Sequence, residues 1–183
     1  MQLIRALRER CRRLAMDCEG VAAVEFALIL PILLLLYFGM DELAQGVLAE
    51  RRAAHTASTI GDLVSQSSTI TQAEVGDIFN VGDTIVYPFP TSALSMRITS
   101  VVADANGVTT VAWSQGSGLT ALAKGAPVTV SGNVISAGQS VIMAEADYTY
   151  TPAVGYLLHA PIPFNEVYYL RPRLSTQVSC ADC

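Results

Sequence analysis

DCEGVAAVEFALILPILLLLYFGM, Asp17 to Met40, is the stretch that decides the fold. From Val21 to Met40 it carries a single ionisable residue, Glu25. Twenty residues rising 1.5 Å each make a helix of about 30 Å, the thickness of a hydrocarbon core. A carboxylate held in hydrocarbon costs several kcal/mol. Any reading of this run must therefore say why a glutamate stands five residues after Gly20.

Composition agrees with a membrane segment. The chain of 183 residues is 51% apolar and only 15% charged, whereas soluble domains carry about 25% charged residues. No other apolar run is long enough to cross a bilayer. Ahead of the span, Arg5, Arg8, Arg10, Arg12 and Arg13 stand against Glu9, Asp17 and Glu19, a net charge of +2. From residue 21 to the end, Glu25 included, six basic residues face thirteen acidic ones, a net of −7. The positive-inside rule puts the arginine arm in the cytoplasm and the acidic remainder on the other side. Such an acidic surface argues against nucleic acid, whose binding needs a basic footprint.

Three readings of the N-terminus compete. A secretory signal would have a shorter apolar core and a small-x-small site after it, but YFGMDELAQG brings Asp41 and Glu42 instead. An uncleaved anchor fits the length and leaves Glu25 as a carboxylate snorkelling to the cytoplasmic edge. The third reading rests on resemblance. G-VAAVEF-ALILP, with an aromatic directly after the glutamate and Pro31 six residues beyond it, resembles the TadE-like pseudopilins of tight-adherence (Tad/Flp) type IV pilus systems. The likeness covers about 25 residues well and the remainder in outline.

The resemblance implies that a prepilin peptidase cuts after Gly20 and makes Val21 the new N-terminus, with amino-methylation of Val21 in the broader family. Glu25 is then the fifth mature residue, set for register and recruitment, with Phe26 packing beside it. The physical logic is pairing. The α-ammonium created on Val21 meets the Glu25 carboxylate of a neighbouring subunit, which removes two unpaired buried charges at once. The resemblance further implies a minor pilin in the bacterial inner membrane, single-pass, with a periplasmic C-terminal domain, which can pass into the pilus after assembly. Its partners are then the prepilin peptidase, other pseudopilins, the major Flp pilin, the inner-membrane assembly platform and membrane lipid. Flp major pilins are much shorter and nearly all helix, so the large domain here suits a low-copy position. Pro31 removes one backbone hydrogen bond mid-span and reads as a helix kink, either without specific function or as a joint easing extraction from the bilayer.

Beyond the span the pattern predicts α+β: a long pilin-like N-terminal transmembrane helix with an antiparallel sheet as outer domain. We divide the chain into a basic leader at 1–20, a transmembrane segment at 21–40, a helix continuation at 41–68 and an outer α+β domain at 69–183. Helical periodicity runs to about residue 65, with Leu43, Val47, Ala54, Ala57, Ile60 and Val64 near one face. Glu42, Gln45, Glu50, Arg52 and Thr59 then occupy much of the rest, and Gly46 and Gly61 read as weak points costing about 1 kcal/mol each. Thr71 with Glu74 forms a capping box for a helix from about Gln72 to Phe79, with Val75, Ile78 and Phe79 inward. LSMRITSVVAD and VTTVAWSQ flank Asn106-Gly107 and predict a hairpin. PVTVSG, SVIMAEADYTY and VYYLRPRLSTQ are further strand candidates, giving four or five strands. Pro127, Pro152, Pro161, Pro163 and Pro172 mark strand edges or loops.

The remaining motifs point away from catalysis. His55 and His159 are the only histidines, and neither falls in a nucleophile, metal or phosphate-loop signature. Trp113, Tyr148, Tyr150, Tyr168 and Tyr169 sit at strand spacing and read as packing. Cys180 and Cys183 close the chain as CADC, which reads first as a terminal disulfide. A zinc site would want a second outer pair, and a redox motif would open a helix after a strand. The sequence calls for no cofactor and no metal. An anchored binding protein would keep its arginine arm, and an enzyme released by signal peptidase would start after Met40, so the mature N-terminus separates all three readings.

Overall fold

The computed structural model describes residues 20–130, 134–153, 155 and 158–183. The arginine arm with Cys11 and Cys18, and Ser131 and Gly132 of PVTVSG, lie outside the described residues. Helix α1 runs unbroken over Val21–Ser65, and strand β1 follows at Thr69–Ile70. Helix α2 covers Gln72–Val86. Strands β2 Leu94–Ala103, β3 Thr109–Ser117, β4 Ser140–Tyr150, β5 Ile162–Leu170 and β6 Ser179–Cys180 complete the order. The result is α+β: one long apolar N-terminal helix and a four-stranded antiparallel sheet in the order β3-β2-β4-β5. We call everything after α1 the head.

Local chemistry sets each boundary. Thr71 accepts from the Glu74 backbone N–H while the Glu74 carboxylate accepts from the Thr71 backbone, so the predicted capping box starts α2. The helix outlasts the predicted stop at Phe79. Gly82 lets α2 press on Met96 and on Thr56 of α1, and the buried face resumes at Val86. At the β2–β3 turn the Asp104 carboxylate accepts from the Asn106 and Val108 backbone N–H groups, 2.8 Å each. Gly107 there takes φ +82°, a conformation glycine adopts freely. Pro163 falls on β5, the edge strand, where a missing N–H breaks no inner ladder. PVTVSG, by contrast, forms no strand in its described part. Pro127 makes one isolated bridge to Thr110, and Val128 and Val130 turn down onto the sheet instead.

One face of the sheet packs on the helices. Met96 and Ile98 of β2, Trp113 of β3 and Ile142, Ala144, Ala146 and Tyr148 of β4 meet Ala49, Ala53, Ala57, Ile60 and Val64 of α1 with Val75 and Phe79 of α2. The opposite face is covered by the crossover from β3 to β4. Leu122, Val128, Val130, Val134 and Ile135 lie over buried Val101, Val141 and Met143. Arg97 bonds Glu145 through two N–H groups at 2.6 and 2.7 Å and the Thr120 carbonyl at 2.9 Å, pinning the start of that crossover.

The face of α1 that meets the sheet matches the predicted one at Ala57, Ile60 and Val64 and departs from it nearer the span. Its buried positions run from Gly39 through Glu42, Gly46, Ala49, Ala53, Thr56, Ala57, Ile60, Gly61 and Val64 to Ser65, whereas Leu43 and Val47 point outward at 48% and 49% exposure. Small side chains let helix and sheet approach closely. A Cβ on Gly61 would lie 2.5 Å from Leu170 Cδ1 and 2.9 Å from Ala144 Cβ. Gly61 is thus a packing requirement, not a weak point, whereas a Cβ on Gly46 would meet the Tyr150 ring at an ordinary contact distance of 3.6 Å.

On β5, Glu166 points toward α1 opposite Glu50. Burial first, and Glu50 second, raise its pKa above the ordinary 4.5. The native state therefore holds this proton more tightly than the unfolded chain. Stability falls as pH rises from the ordinary value through the raised one, and the cost is complete above it. Glu166→Gln should flatten that slope and stabilise the chain at neutral pH. Denaturant midpoints on either side of the window, for both forms in detergent, would check this.

Candidate functional site: the exposed end of the long helix

The residues singled out by sequence divide between the two ends of α1. Gly20 is the N-cap and makes no side-chain cap, and Val21 is the first helical residue. Glu25 lies one turn further on, on the same face as Val21. Glu25 is exposed, and among the described residues it has no hydrogen-bond or ion-pair partner. Phe26 beside it is exposed as well. Pro31 lies inside the continuous helix, next to Leu34, Leu35 and Phe38 in a shallow apolar depression. From Val21 to Phe38 no residue of α1 is buried, and the helix is long and apolar enough to cross a membrane.

The cysteines lie at the other end, about 65 Å away along the axis at 1.5 Å per residue. Strand β1 follows directly on α1 and pairs in parallel with β6, Thr69 against Ser179 and Ile70 against Cys180. Cys180 and Cys183 are joined as a disulfide with Cα atoms 5.6 Å apart. Asp182 between them accepts from the Gln72 backbone N–H at 2.9 Å and so caps α2. Both sulfurs are committed to each other, so the cluster of Cys180, Asp182 and Cys183 offers no thiolate to a metal. The two ends form no common site. His55 stands on the exposed side of α1 with Nδ1 3.1 Å from Thr59 Oγ1, and His159 lies in the exposed β4–β5 connection.

Two functional contacts escaped the sequence reading. Glu42, expected on the outer face, is 2% exposed, and its Oε2 accepts from the Leu158 backbone N–H at 3.2 Å. The signal was present: Glu42 heads the run of small residues at helical spacing through Gly46, Ala49 and Ala53. Trp113 was expected to pack, and it does at 5% exposure. Its Nε1–H also donates to the Val178 carbonyl at 2.8 Å, fastening the C-terminal segment to the sheet. No local pattern links positions 65 residues apart.

A long apolar helix is bare over its first half and clasped by an α+β head over its second. Residues 20–61 match the profile of the TadE-like protein family, the same family that the motif around Gly20 and Glu25 resembles. No curated protein and no solved structure matches the chain.

Proposed function

We propose that this chain is a minor pilin, or pseudopilin, of a Tad/Flp-type pilus, cut by a prepilin peptidase after Gly20. The observation that carries the reading is the family match, which opens at Gly20 and lies on a helix that is exposed from Val21 to Phe38. The match also takes in Glu25, Phe26 and Pro31. In this account residues 1–20 are a cytoplasmic leader, 21–40 anchor the subunit in the inner membrane, and the head lies in the periplasm. Its partners are the peptidase, the other Tad pilus subunits and the assembly platform, and its role is structural.

The bare helix end suits that role. An exposed Glu25 on an otherwise apolar surface is costly in lipid, and it becomes favourable once a neighbour presents an ammonium. Cleavage after Gly20 supplies that ammonium one turn from each subunit's own Glu25. Gly20→Leu should block the cut, because a branched side chain replaces the bare backbone expected in the peptidase cleft. Co-expression with and without a prepilin peptidase would test this by mobility. The parent chain should shorten only with the peptidase and the variant never. A parent chain unchanged by the enzyme would overturn the processing.

A further inference from the structure

The head is not spaced from the end of the apolar run. Burial on α1 begins at Gly39, inside Val21–Met40, and Glu42, two residues past the run, is almost wholly enclosed. The Leu158 backbone N–H donates to Glu42 Oε2. One turn further up, Leu158 Cδ1 and the Tyr150 ring lie 4.0 and 3.6 Å from where a Gly46 Cβ would stand. Because α1 is a single helix through this region, no linker can lift the head away.

Heights along the axis follow from 1.5 Å per residue: Glu42 stands about 3 Å and Gly46 about 9 Å past Met40. The headgroup layer on each side of a bilayer is roughly 5–8 Å deep. We infer that the base of the head, the β4–β5 connection at Leu158 to Pro161, is seated in the lipid headgroup layer of the bilayer that holds the span. The partner is lipid, and the docking surface continues the span without a gap. On the outward side of α1 the apolar surface continues too, through exposed Met40, Leu43 and Val47.

This seat accounts for Glu42. A bare carboxylate so close to hydrocarbon costs several kcal/mol, but here the head encloses it and an amide N–H satisfies it. Asp41 beside it stays exposed, at the height where headgroup amines and water can reach it. Leaving the bilayer therefore strips lipid from the head as well as from the helix.

The inference rests on Val21–Met40 crossing the membrane, and the test separates the two. The full chain is placed in phosphatidylcholine vesicles whose acyl chains are brominated close to the glycerol, which quench nearby tryptophan. Trp113 is buried in the head and supplies a constant background. Ala160→Trp, at an exposed position of the connection, should lose most of its added emission and shift to the blue. Thr151→Trp, exposed at the other end of the same connection, repeats the measurement should the first variant fold poorly. Asn106→Trp, in the β2–β3 turn at the far end of the sheet, should be unaffected. Ile29→Trp reports the span, with bromines placed deeper in the chains. Quenching at Ile29 without quenching at 160 or 151 would overturn the seat and leave the span intact. No quenching at any of them would overturn the span, and the seat with it.

Discussion

On the proposed function, Glu25→Ala should leave the chain inserted in its membrane and abolish its assembly into the pilus system. The variant keeps every apolar residue from Val21 to Met40, so insertion, which depends on their transfer into lipid, is untouched. What disappears is the only anionic partner for an ammonium inside a bundle of apolar helices. Breaking a buried charge pair by removing one member costs about 3–5 kcal/mol, because the other charge is left uncompensated. That is more than a hundredfold in an association constant. Carbonate-resistant membrane association should match the parent while surface pili disappear. Glu25→Asp keeps the charge on a stem one methylene shorter and should recover part of the assembly. Normal piliation of the alanine variant would contradict the pairing.

The second large effect concerns the head. Trp113→Ala should destabilise the chain by about 3–5 kcal/mol, the range for deleting a buried aromatic side chain. Two losses combine. The indole fills the space between β3 and the helices, and its N–H is the partner of the buried Val178 carbonyl. Without it the segment leading to β6 is left with an unsatisfied acceptor, and β6 in turn holds β1 at the end of α1. Trp113→Phe keeps most of the volume and should lose only about 1 kcal/mol for the hydrogen bond. Since Trp113 is the only tryptophan, unfolding should be followed by circular dichroism in detergent. A loss below 1 kcal/mol for the alanine variant would show that the tail is held elsewhere.

What was legible in the sequence was whatever a short window encodes. The apolar length of Val21–Met40, the Thr71–Glu74 box, the Asn106-Gly107 turn and the period-two runs of β2, β3 and β4 each lie within twenty consecutive residues. The side of α1 that meets the sheet was legible at Ala57, Ile60 and Val64 but not nearer the span. Leu43 and Val47 are the more apolar residues, but the sheet selected the smaller ones: Ala49 and Ala53 are wholly buried, and Gly61 has no room for a Cβ. Hydrophobicity and packing size pointed to different faces, and packing size won. PVTVSG misled for a related reason. Its apolar residues alternate as in a strand, but they serve as a lid on the outer face of β2 and β4. Of the proposed site, Gly20, Glu25 and Phe26 were visible because their spacing is local. The contact of Glu42 with Leu158 was not, since 116 residues separate the partners.

The central claim is that Glu25 is placed for an amine that exists only after Gly20 is cut. The intact mass and N-terminal residue of the protein from its native membrane test this most directly. The account predicts a chain beginning at Val21. A chain still carrying the arginine arm would contradict it and leave Glu25 a carboxylate at the membrane edge of an ordinary anchor.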